Sequence, residues 1–346
     1  MNTGDGWACF VKPVRQLRGP GIGFDPGNLV LGKEACPPGF GDFCFLGTSI
    51  AMMLSNGRSL CQTAFGLATM MVLSLQTSTV FAADIEKPDL TVIPAGWFWQ
   101  GSDAIERDYA YRIDEQIYGQ DVAHRNRWYD SEITKWRIYL PEFEISTTPV
   151  TNHQYAAFIK DSGYPAPGVT REVWDTYGLV HGYEATRPFA WKNGAPRPGR
   201  ENHPVVMVSW QDAVAYTQWL SKKTGETWRL PNEAEWEKAV RGPDGTFYPW
   251  GNIYDPSLLN SADRGPFDTV PVKSYPPGPY GLYDGSGQVF EWTMSQQQPG
   301  ARIVKGGSWD DRGCGVCRPA ARHSRPEHLR HILIGFRVLR VSSSNR

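Results

Sequence analysis

Beyond Gly242 the chain shows no helical period; as far as Arg340 it is a succession of turns broken by short strand candidates. A compact domain holds so long an irregular tract only where the loops are functional or are fixed by a ligand. The composition agrees. Gly 36, Pro 27 and Trp 14 in 346 residues describe a turn-rich chain whose interior is filled by large rings rather than by long aliphatic helices. No repeat at a fixed period is visible.

Ahead of that tract, three helices announce themselves by their caps. Thr151 and Gln154 form a capping box before Tyr155, Phe158 and Ile159; Ser209 and Asp212 open a second helix with the stripe Ala213, Tyr216, Trp219 and Leu220, stopped by Gly225. Asn232 with Glu235 opens a third, with Trp236 and Val240 facing inward and Gly242 ending it. All three read as packing helices. Leu90–Ile93 and Trp97–Trp99 read as short strands around Pro94-Ala95-Gly96, and Trp136 to Ile145 as a return to the sheet. The charged, aromatic stretch from Asp103 to Lys135 has no clear period and is expected to wander over the surface.

A formal net charge of −1 provides no electrostatic footprint for nucleic acid. Residues 53–82 read as an export signal, with Arg58 as the positive region, Ala64 to Leu75 as the apolar region and Val80-Phe81-Ala82 as the cleavage site; an uncleaved anchor is the rival reading. Cleavage predicts a periplasmic or secreted protein with no stable membrane insertion. Residues 1–52 have neither helical nor strand periodicity and read as an upstream extension from a start assigned too early, with Met52 or Met53 the true start. Of the six cysteines, only Cys314 and Cys317 would then remain, in a compartment where disulfides persist.

Lys305-Gly306-Gly307-Ser308-Trp309, Cys314, Cys317, Arg322 and Gly335-Phe336-Arg337 close the chain. Upstream stand Ile93-Pro94-Ala95-Gly96, Pro149-Val150-Thr151-Asn152, His203-Pro204-Val205-Val206, Arg229-Leu230-Pro231, Pro249-Trp250-Gly251-Asn252, Tyr280-Gly281-Leu282-Tyr283-Asp284 and Glu291-Trp292. In this order they resemble the formylglycine-generating enzyme (sulfatase-modifying factor) family over residues 88–341. The resemblance implies an α+β fold, the family's variant of the C-type lectin fold, with a small twisted antiparallel sheet and extensive irregular structure.

Asp284 to Glu291 places two carboxylates around a glycine-rich bend, and calcium takes six to eight such carboxylate and carbonyl oxygens. The resemblance implies calcium here, held by Asp284 and Glu291 with the carbonyls of Ser286, Gly287 and Val289, and a second site at Asn260 and Ser261 near Asp263. The competing reading is a tight turn in which Asp284 caps amides and Glu291 pairs with an arginine.

Family enzymes use two cysteines that bind copper(I) and activate dioxygen, soft thiolates being suited to that ion. Here Cys314 matches the second cysteine, Asp311 stands at the first, and Cys317 is extra. The Cys-x-x-Cys pair reads as a disulfide, a metal-binding pair or free thiols. Ser308 either donates its hydroxyl near the cleft or bonds to backbone. His323, His328 and His331 read as solvated loop histidines, and Arg322 and Arg337 as structural.

Two functions follow: an exported oxidase-type enzyme acting on a protein or peptide substrate, with Cys314, Cys317 and Ser308 as site residues, or a non-catalytic lectin-like module that binds protein or glycan.

Overall fold

In the computed structural model, which describes residues 86–341, the strands and helices alternate before the irregular tract. The order is β1 (Leu90–Ile93), β2 (Gly96–Gln100), α1 (Ala104–Tyr118), α2 (Val122–Arg125), β3 (Trp136–Leu140), β4 (Phe143–Ser146), α3 (Asn152–Ser162) and α4 (Arg171–Thr176). Then come α5 (Trp210–Thr224), β5 (Thr227–Arg229), α6 (Glu233–Arg241), β6 (Phe290–Gln298), β7 (Ala301–Lys305), β8 (His323–Pro326), β9 (Ile334–Phe336) and β10 (Leu339–Val341).

The expected caps form. Thr151, Ser209 and Asn232 each accept a backbone N–H three residues on, while Gln154, Asp212 and Glu235 reach back to the cap's own N–H. Between α6 and β6 lie only turns and isolated bridges, as the lost period predicts.

Asp103 to Lys135 corrects the expectation of a surface excursion. Asp103 accepts from the Glu106 amide and opens α1, which Gly119 ends in the left-handed region. The inward face of α1 is Glu106, Ala110, Tyr111 and Asp114, so no apolar stripe marked it in the sequence.

Three sheets result: β1-β4-β10-β5, the pair β2-β3, and β8-β7-β6-β9. Pro94 and Ala95 therefore separate strands of different sheets, β1 pairing with β4 and β2 with β3. The larger core gathers α3, α5 and β9 around Tyr155, Phe158, Tyr216 and Phe336, whose rings meet edge-on or stacked. A smaller one sets Trp236, Ala239 and Val240 of α6 against Ile93, Ile145 and Leu339. None of the helices among the described residues is long and apolar enough to cross a membrane. The proposed upstream extension and export signal lie outside the described residues.

Candidate functional site

Leaving β7, the chain turns through Gly306 and Gly307, both at positive φ. A Cβ on Gly307 would stand 2.5 Å from Cys317 Sγ, so only glycine lets the backbone pass over the sulfur. Cys314 and Cys317 form a disulfide, and both residues are 0% exposed. The loop is fastened on every side. Tyr248 Oη donates to the Cys314 carbonyl (3.1 Å), the Gly315 amide donates to Asp114 of α1 (3.0 Å), and Tyr129 Oη donates to the same carboxylate.

Asp311, at the position of the missing thiol, turns into its own loop and accepts from the Ser308 amide (2.8 Å) and hydroxyl (2.7 Å). Ser308 is buried there, its hydroxyl committed. Burial pushes both Asp311 and Asp114 up to about 7. Copper(I) does not fit this arrangement: the sulfurs are joined to each other, and the nearby carboxylate is a hard ligand.

Beneath this loop the two calcium positions expected from the sequence meet, since Asn260 bridges Gly287 and the Gln288 amide donates to the Asn260 carbonyl (2.8 Å). Asn260, Asp284 and Ser286 line one small cavity. Asp284 Oδ2 accepts from the Lys273 amide (2.9 Å), while Asp284 Oδ1, Ser286 Oγ and Asn260 Oδ1 are buried with no hydrogen-bond partner. Buried oxygens are rarely left so. These three hard donors, one of them a carboxylate that burial pushes up to about 6, would supply part of the six to eight oxygens that calcium takes.

Glu291 corrects the expected ligand set. Arg337 binds both its oxygens (2.5 and 2.7 Å) and Trp236 Nε1 donates to one (2.7 Å), which is the arginine-paired alternative. The Ser261 carbonyl accepts from the Gly265 amide (2.7 Å), and the Val289 side chain packs in the core.

The model of the sulfatase-modifying factor enzyme 1-like domain matches residues 77–342. The chain belongs to this family. It is 34% identical over 260 residues to the formylglycine-generating enzyme of Streptomyces coelicolor, covering 60% of this chain and 81% of that one. It is 32% identical over 271 residues to the mouse inactive C-alpha-formylglycine-generating enzyme 2, covering 68% of this chain and 79% of the relative. Among solved structures, that of PvdO from Pseudomonas aeruginosa superposes with a TM-score of 0.56 at 25% identity, over 74% of this chain and 95% of that chain. The α+β, C-type-lectin-like fold of the formylglycine-generating family is therefore this chain's fold.

Beside the disulfide loop, Trp309 stacks on Phe189 (6.1 Å, 18°), both rings buried, and Asp310 lies 3.3 Å from His181 Nε2. Phe189 also lines a cleft with Asn152, Trp191, Arg197 and Arg200. The Arg200 guanidinium sits 4.8 Å above Phe189 and is fixed by a two-pronged bond to Asp268. The sequence reading missed this cleft, because its members are scattered single residues.

It also missed the ion network under the loop. Arg318 binds Glu132 and Glu106, Arg241 binds Glu106 and Glu237, and Lys305 binds Glu237 and Glu233, all of them buried. The crowding of Glu233, Glu235, Glu237, Lys238 and Arg241 on one short helix was the available signal. Arg322 joins Glu233, a structural role as expected. His323 and His331 correct the expectation of solvated histidines: His323 meets Phe290 edge-on and His331 stacks on Trp174, and only His328 is exposed.

Proposed function

We propose that this chain is an exported member of the sulfatase-modifying factor family that holds a protein or peptide segment at the cleft lined by Trp191, Arg197 and Arg200, next to buried Trp309, and does not oxidise it through a thiolate pair. The disulfide carries the reading. With both sulfurs joined and sealed, and Asp311 in place of the partner thiol, Cys314, Cys317 and Ser308 serve to fix the loop whose Trp309 backs Phe189 of the cleft. The aromatic floor at Phe189 and Trp191, with Arg197 and Arg200 at its side, suits an extended backbone rich in carbonyls or acidic groups. A disulfide also suits an oxidising compartment, which supports export.

Calcium, held by Asp284, Ser286 and Asn260, would neutralise the buried carboxylate and tie the Gly287 bend to the Asn260 segment. Its role is structural.

The test is dissolved-oxygen uptake by the mature protein with a cysteine-containing peptide, with and without copper, beside thiol titration and peptide binding. Binding without uptake, no titratable thiol in the native protein, and weaker binding in Arg200→Ala are expected. Copper-dependent uptake would return the protein to the oxidase class. On the same preparation, chelation should lower the melting temperature and calcium restore it in wild type but not in Asp284→Ala.

A further inference from the structure

The paired strands β2 and β3 turn one face to solvent, and that face is built of rings. Trp97 pairs with Tyr139 and Trp99 with Arg137 across the ladder. Trp97 is 56%, Tyr139 54% and Trp99 37% exposed, unusual for side chains of this size. Trp97 and Tyr139 meet edge-on at 5.8 Å, and the Arg137 guanidinium lies 5.8 Å from the Trp97 ring centre and 5.6 Å from that of Trp99. Among the described residues no carboxylate forms an ion pair with Arg137.

The opposite face is anchored. Phe98 is fully buried, and Lys238 Nζ donates to the carbonyls of Pro94 (2.6 Å) and Gly96 (3.2 Å) at the start of β2. Trp99 is braced by Gly245, where a Cβ would come within 2.8 Å of it. The platform is held rigid before any ligand arrives, which lowers the ordering cost of binding.

The geometry points to this face as a binding site for an acidic polysaccharide, its pyranose rings stacked on Trp97, Trp99 and Tyr139 and a carboxylate or sulfate set against Arg137. Flat aromatic faces carry partial negative charge and attract the polarised C–H face of a sugar. A guanidinium without a carboxylate partner selects an anion. Arg137 is the cation this face offers, nearby Lys135 being paired with Asp103 (3.2 Å). A single-stranded nucleic acid would stack bases rather than sugar rings on such a face, and retardation by oligothymidylate separates the two. The site shares no residue with the cleft beside Trp309, so either reading can fail alone.

Affinity electrophoresis of the full chain through gels holding polygalacturonate, chondroitin sulfate, dextran or oligothymidylate tests it. An acidic glycan should slow migration, dextran should not, and added salt should weaken the effect. Arg137→Gln and Trp97→Ala, both changes at exposed positions, should each weaken binding about tenfold. No retardation by either acidic glycan, or retardation unchanged in both variants, overturns the assignment. So does stronger retention by oligothymidylate, or self-association that these variants abolish.

Discussion

Asp311 and Asp114 are carboxylates kept proton-bound by burial, one in the disulfide loop and one beneath it. Their folded values stand at about 7 against an ordinary value of 3.8, so the folded state binds more protons than the unfolded chain between those limits. The stability each contributes is complete below about pH 4 and is lost as the pH rises through about 7. Buried His323 and His331, held well below the ordinary histidine value by burial, act in the opposite sense up to about pH 6.5. The Asp311 contribution is therefore read as a difference: urea midpoints from pH 4.5 to 8 should fall with pH in wild type relative to Asp311→Asn, since an amide has no proton to lose. Parallel curves would show that Asp311 is solvated.

Among the elements, α6 gives the sharpest test of local reading. Asn232→Ala removes the acceptor for the Glu235 amide and should cost about 1 kcal/mol, read as a shift of denaturation midpoint. The caps at Thr151, Ser209 and Asn232 were legible in the sequence because a capping box is a local bargain between residues three apart. So was the irregular tract after α6. Helix α1 was not legible, since Glu106 and Asp114 face inward to meet Arg318, Arg241 and the Gly315 amide, partners far away in sequence. The burial of His323 and His331 was hidden for the same reason: Phe290 and Trp174 cover them from other segments. At the site, the match of Cys314 and the displacement by Asp311 were visible in sequence, but the choice among disulfide, metal pair and free thiols needed three dimensions.

At the scale of the whole molecule, the buried ion network joins α1, α6, β7 and the disulfide loop. Arg318→Met would leave Glu106 with Arg241 and the more distant Lys135, and Glu132 without its cation, and should cost about 3–5 kcal/mol in chemical denaturation. Removing one member of a buried set is far more costly than replacing the whole set with apolar side chains, because the charge left behind has lost its solvation. The first sheet adds a constraint of a different kind. Strand β10 lies between β4 and β5, pairing Leu339 with both Ile145 and Arg229, so the strand made last separates two made much earlier. A ribosome must deliver Leu339 before that sheet can close. Until then β4 and β5 have an empty lane between them, and the nascent chain stays open to whatever machinery meets it first.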